Sequence, residues 1–292
     1  MYSEIVTMCL FASDLHGRID RCEKLFAAIE DRCPSAVFLG GDLLPFPLAA
    51  FDNRENLPAD FVRDFLAVRF EELRRQMGER FPSAFIILGN DDPRADEPAM
   101  VEGDAKGLWR YCHERKCDFG SYIVFGYAYV PPTPFLLKDW ERYDVSRYVP
   151  PGGVSPEEGR RSVEVDARVV RHATISDDLE QLTKEAPPER AVFLFHTPPY
   201  ETHLDRAATD SKAVDHVPLD LHVGSIAVRR FIEARQPLVT LHGHIHESAR
   251  LTGSWRDRIG RTHLLSAAHD GPELALVSFD LTDLDSATRE LL

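Results

Sequence analysis

Long hydrophobic runs are missing from this 292-residue sequence. No apolar stretch reaches the roughly 18 residues a spanning helix needs, which excludes a transmembrane helix. The opening MYSEIVTMCLF has no basic flank and only a short apolar run, so no secretory signal is expected. Cysteine is sparse and odd in number: Cys9, Cys22, Cys33, Cys112 and Cys117 form no CxxC. That excludes a disulfide framework and predicts reduced thiols in a cytoplasmic protein. Cys112 and Cys117 have no second pair with which to build a zinc knuckle. Basic charge is also short, with 34 Lys+Arg against 48 Asp+Glu and a net charge of −14. Such a balance argues against binding nucleic-acid backbone or anionic membrane, both of which need a basic face. It does not exclude an anionic substrate, because bound metal ions reverse the local field. Repeats and low-complexity segments are absent as well.

What is present is a core-forming pattern in which short apolar runs alternate with helical periodicity. Strands are expected at Thr7–Ser13, Ala36–Leu39, Phe85–Leu88, Tyr122–Val130, Val192–Phe195, Leu238–Leu241, Arg261–Ser266 and Leu274–Leu281. Helices are expected at Ile19–Asp31, Pro58–Phe81, Asp177–Lys184 with Ser176 as N-cap, and Ile226–Ala234. Early β/α alternation predicts a mostly parallel or mixed sheet, and the β-rich C-terminal part predicts a second sheet stacked on it. Residues 131–172 break this rhythm with Pro, Gly, Arg and Tyr, and read as an irregular insertion in one domain spanning residues 1–292.

Five loops carry the chemistry, each directly after an apolar run: Asp14-Leu15-His16, Gly41-Asp42, Gly89-Asn90-Asp91-Asp92, His196, and Gly243-His244-Ile245-His246. One such loop is commonplace, since an aspartate after a strand is usually a turn or a helix cap. Five at strand ends converge on one crevice, as ligand loops do in open α/β sheets. The donors are Asp, Asn and His without thiolate, which suits borderline to hard divalent ions. Seven candidates, Asp14, His16, Asp42, Asn90, His196, His244 and His246, are too many for one tetrahedral ion and suit two that share a bridge. Asp42 is the natural bridge, because a carboxylate offers two oxygens.

The order DxH, GD, GN, H, GHxH resembles the calcineurin-like metallophosphoesterase superfamily. The resemblance covers residues 14–246, and FHTPPY, LHVGSIAVRRF and LHGHIHES look like a branch of small prokaryotic members. It implies a four-layer αββα sandwich, with two mixed β-sheets flanked by helices and a dinuclear metal site at strand ends. It also implies that Asp14, His16, Asp42 and His246 hold one ion, and Asp42, Asn90, His196 and His244 the other. The ions would be Mn, Fe, Zn or Ni, and a hydroxide bridging them would attack phosphorus. Asp42, Asn90, His196 and Asp91 would surround the reacting group.

One departure stands out. The family often has a histidine straight after the motif asparagine, where it assists the leaving group; this sequence has Asp91. An ionised carboxylate donates no hydrogen bond, and adjacent cations depress its pKa. Asp91 is therefore expected to play a structural or outer-contact role, and the substrate to be a phosphodiester or phosphoanhydride with a good leaving group. Arg18 and Arg94 are candidate substrate contacts. His242 reads as core, and His222 with Ser225 precede a helix whose N-terminus can receive an anion or be plainly capped. Trp140, Tyr143 and Tyr148 suggest that 131–172 caps the cleft or makes a homo-oligomer contact. The expected partner is a small phosphorylated substrate, not a membrane or nucleic acid. The rival readings are a catalytically weak scaffold of the same fold, and a nuclease.

Overall fold

The computed structural model describes residues 8–45, 57–184, 188–208, 213–214, 217–218 and 221–292. Its first six-stranded sheet contains β1 (Met8–Ala12), β2 (Ala36–Gly40), β3 (Ser83–Ile87), β4 (Arg110–Tyr111), β13 (Ala275–Asp280) and β14 (Asp283–Leu291), in the order β14-β13-β1-β2-β3-β4. The second contains β5 (Arg115–Phe119), β6 (Tyr122–Tyr127), β7 (Ala191–Phe195), β10 (Val239–His242), β11 (Arg256–Ile259) and β12 (Thr262–Ser266), in the order β11-β12-β10-β7-β6-β5. A two-stranded ribbon, β8 (Ala213–Val214) with β9 (Val217–Pro218), stands apart. Both large sheets are mixed. β1 to β4 run parallel, as do β6, β7, β10 and β12, while β13, β14, β5 and β11 pair antiparallel. The central strands are apolar throughout because both their faces are covered.

Seven α-helices are described: α1 (Ile19–Arg32), α2 (Ala67–Met77), α3 (Glu97–Ala105), α4 (Ala167–His172), α5 (Ile175–Leu182), α6 (Ile226–Arg235) and α7 (Ser248–Thr252). α1 buries Cys22, Leu25, Phe26 and Ile29, a helical stripe, and stops where Cys33 turns left-handed at φ 46°. A π-helical turn, Val62–Leu66, leads into α2, and a 3₁₀ turn at Gly78–Arg80 ends the segment expected as one helix. For α5 the cap is Thr174, one residue before the helix, and not Ser176: the Thr174 hydroxyl accepts the Asp177 N–H. None of the described helices is long and apolar enough to cross a membrane.

Segment 131–172 is neither wholly exposed nor structureless. Isolated bridges tie Val130 to Glu141, Leu137 to Arg160 and Tyr143 to Thr174. Trp140 and Tyr143 are buried, so neither is available to stack on a ligand; Tyr148 is 68% exposed. A buried Lys138–Glu141 ion pair, at 2.5 Å, stands among them.

Candidate metal centre

Parallel pairing decides where the five loops go. β1, β2 and β3 are adjacent and point the same way, so Asp14, Asp42 and Asn90 emerge side by side; β7 and β10 do the same for His196 and His244. The sheets are joined at this end: His196 Nδ1 lies 2.8 Å from the Gly40 carbonyl, and His244 N–H donates to Asp14 Oδ1 at 3.0 Å. Four of the eight non-glycine residues with positive φ among the described residues are here: Asp14 (57°), His16 (50°), Asp42 (52°) and His244 (73°). Backbone held in this costly region is a mark of functional sites. Gly89 is required by space, since a Cβ there would run into the Asp42 carboxylate and lie 2.7 Å from His196 Cε1.

All seven candidates meet. Asp14, His16, Asp42 and His246 each offer one donor atom within 4.8 Å of the others, and Asp42, His196 and His244 form a second such group. Asp42 belongs to both. Asn90 joins the second group, its Oδ1 3.0 Å from His196 Nε2. In the first group His16 Nε2 and His246 Nε2 are 3.2 Å apart, and His246 Nε2 is 3.3 Å from Asp14 Oδ1. In the second, His196 Nε2 is 3.2 Å from Asp42 Oδ2.

These residues suit divalent cations. The Gly40 carbonyl takes the Nδ1 proton of His196 and so leaves Nε2 facing two oxygens, a place for a proton or a cation. Electrostatics agree for the metal-free protein. Burial disfavours a charged His196, yet Asp42 and Asp14 push it up to about 10. Burial likewise opposes charge on His246, but Asp14 and Asp42 raise it to about 9. Asp42, despite burial, is held down to about 2 by His196, and Asp14 lies below the usual carboxylate range through His246, His196 and His16. Burial, with His196 nearby, drops His244 to about 3, keeping that ring neutral.

Asp91 supports the site from beside it. Its N–H donates to Asp42 Oδ1 at 2.8 Å, its Oδ1 accepts from Asn90 Nδ2 at 3.0 Å, and its Oδ2 is 3.8 Å from His16 Nδ1. Burial and the Asp42 charge push its carboxyl up to about 7 in the metal-free protein. Asp92, which sequence reasoning passed over, is a clasp: wholly buried, it accepts N–H groups from Gly89 at 2.8 Å, Leu43 at 3.2 Å and Leu44 at 2.7 Å. It thereby ties the Asn90 loop to the Asp42 loop. The doubled aspartate was the available signal. Arg21 is a second omission, its NH1 donating to the Asp14 carbonyl at 2.6 Å.

Other candidates have other partners. Arg18 pairs with Asp20 at 3.0 Å rather than with a site carboxylate. Arg94 binds Glu97 and the Tyr129 hydroxyl, both at 3.0 Å, and lies over Trp140. His242 is buried between the Thr197 carbonyl and the Thr240 hydroxyl. His222 orients buried Asp205 at 2.8 Å. The α6 N-terminus takes an anion from its own chain: Asp144 accepts from Ser225 Oγ and from the Ile226 and Ala227 N–H groups. Segment 131–172 also reaches the motif loop, Trp140 Nε1 donating to the Asp92 carbonyl at 2.9 Å.

The same architecture occurs in solved structures. One matches with a TM-score of 0.60 and 21% identity over 98% of this chain and 99% of its own. TT1561 of Thermus thermophilus matches with a TM-score of 0.54 and 17% identity over the same shares. No curated protein sequence matches. The sequence profile of calcineurin-like phosphoesterases matches residues 9–248, which span all five ligand-bearing loops, and the chain therefore belongs to the calcineurin-like phosphoesterase family.

Proposed function

We propose that this protein is a dinuclear metal-dependent phosphoesterase acting on a small phosphodiester or phosphoanhydride. The observation that carries this reading is Asp42, which belongs to both donor groups. When bound, two divalent cations (Mn, Fe, Zn or Ni) supply Lewis acidity, lower the pKa of a water and neutralise charge on the phosphoryl oxygens. The chain's own residues do the rest. Asp42 holds the two donor groups at a fixed separation. Asn90 is oriented by Asp91, and His196 by the Gly40 carbonyl. Five of the ligand side chains are neutral, so two dications leave the centre net positive despite a whole-chain charge of −14. That attracts a phosphate.

The leaving group is the selective feature. With Asp91 engaged by Asn90 and flanking cations favouring its ionised form, no protonated donor stands at that position. Leaving-group pKa then controls the rate. Aryl phosphodiesters and phosphoanhydrides should turn over faster than alkyl monoesters in a panel run with each metal separately. Equal rates across leaving groups would defeat the reading. Asp91→His should raise turnover of poor leaving groups, general-acid help being worth about 10²–10⁴-fold. Asp42→Ala should abolish both turnover and metal content; full activity in that variant would remove the two-metal basis. A scaffold role would show as no turnover with any metal.

A further inference from the structure

Cys112 and Cys117 lie outside the metal centre: Cys112 directly follows β4, and Cys117 is the third residue of β5. The turn that joins β4 to β5 is closed by Arg115 N–H donating to the Cys112 carbonyl at 2.9 Å, and Cys112 N–H donates to Ile86 O at 2.8 Å. β5 then pairs with β6, placing Cys117 opposite Val124. This path returns the chain on itself and brings the two sulfurs to 3.5 Å. Cys112 is fully buried, Cys117 partly exposed, and the intervening Glu114, Arg115 and Lys116 are exposed. Between them His113 is buried and Glu114 exposed, and the sulfurs need close only from 3.5 Å to the about 2 Å of a sulfur–sulfur bond.

We propose that Cys112 and Cys117 are a reversible dithiol–disulfide pair, a modification site in which Cys117 reacts first with a hydroperoxide and Cys112 resolves it. The Cys117 thiolate attacks one peroxide oxygen, the O–O bond breaks, and the departing hydroxide takes a proton to leave as water. Cys117 is then a sulfenic acid, oxidised by two electrons as the peroxide is reduced. The Cys112 thiol attacks that sulfur, loses its proton, and displaces hydroxide as a second water. Two thiols and one hydrogen peroxide become one disulfide and two waters.

The roles follow from the surroundings. The hydrogen bond from Cys112 holds the Cys117 thiol below its ordinary value, opposed by burial and Asp104 and helped by Arg110 and Arg115. Burial, with Cys117 beside it, pushes Cys112 well up, so it waits as a thiol. A thiolate on the accessible side and a protonated partner behind it is the order that exchange chemistry favours. Cys33, partly exposed, contacts the Glu30 carbonyl and Arg80 rather than a second sulfur, and serves as an internal control.

The test uses the full-length reduced protein with a chelator present, treated with dilute hydrogen peroxide and then alkylated. Two of the five thiols should become unreactive, with a mass loss of about 2 Da that a dithiol reverses. Trypsin cleaves after Arg110, Arg115 and Lys116, so the product should appear as a Tyr111–Arg115 peptide linked to the peptide beginning at Cys117. Cys112→Ser should instead accumulate a Cys117 sulfenic acid that a carbon nucleophile traps. If Cys112→Ser does not fold, Cys117→Ser supplies the second arm, with Cys112 staying reduced. Five alkylatable thiols after peroxide, or oxidation confined to Cys33, would overturn the proposal.

Discussion

Among individual residues, His196 and His246 do most to set how the centre responds to pH. Their raised values, about 10 and about 9, mean that the metal-free protein carries a proton on each at neutral pH. A metal binds only the neutral ring, so loading must release those protons. Metal affinity should therefore rise with pH until His246 and then His196 titrate, and fall as pH drops below about 10, more steeply below about 9. Calorimetry of Mn²⁺ or Zn²⁺ binding at pH 7, repeated in buffers of different ionisation enthalpy, should show about two protons released. A buffer-independent enthalpy would contradict the charge state assigned to both rings. Positions 90 and 91 separate by role. Asp91→Asn keeps an acceptor for the Asn90 amide, and should lower kcat/KM by about tenfold or less. Asn90→Ala removes a proposed ligand, and should cost on the order of a hundredfold or more together with metal content. Comparable losses in both variants would make Asp91 a ligand or an essential proton carrier.

At the scale of elements, the strand ends at the centre are strained, while the starts of α4, α5 and α6 are capped by side chains. Strained left-handed residues at Asp14, His16, Asp42 and His244 persist only because neighbouring loops over-determine them, Asp92 and Arg21 among the means. α6 shows the opposite arrangement. Ser225 and Asp144 together satisfy its first N–H groups, the carboxylate supplied from about 80 residues earlier in the chain. Asp144→Ala removes three hydrogen bonds at a buried helix start, and should lower stability by about 2 kcal/mol, seen as a reduced Tm in thermal unfolding. Asp144→Asn keeps acceptor oxygen and should lose less. An unchanged Tm in the alanine variant would mean that Ser225 alone caps the helix.

Across the whole molecule, the candidate centre depends on the separation of the two sheets, because each contributes donor residues to it. β6 meets β3 across that interface at Gly126. A Cβ there would lie 2.7 Å from Ile87 Cγ2 and 2.6 Å from Cys112 Cβ. Gly126→Val should wedge the sheets apart where β3 runs into the Gly89–Asp92 loop. Overpacking of this kind typically costs about 1–3 kcal/mol. The variant should melt earlier and bind less metal, although it alters no ligand. Wild-type metal content with a lower Tm would show that the loops tolerate a shift in β3.

Much of this was legible locally. An apolar run that ends in Asp, Asn or His declares both a buried strand and a polar loop, so the seven candidate ligands and their order could be read before any contact was known. β14 could not be read this way: DLDSATREL is polar, and it is a strand because β13 offers it an edge. Short α3, α4 and α7 carry too few turns for a periodic signal. Segment 131–172 has the composition of a cap, yet its Trp140 and Tyr143 are core, since only packing decides which aromatics find enough neighbours to leave water. The sequence by itself determined which groups can take part in the chemistry and which strand each follows. Tertiary structure alone decided that Asp144 caps α6, that Asp92 clasps two loops and that two sulfurs touch, because those contacts depend on strand pairing and sheet stacking between residues whose local patterns are silent about one another.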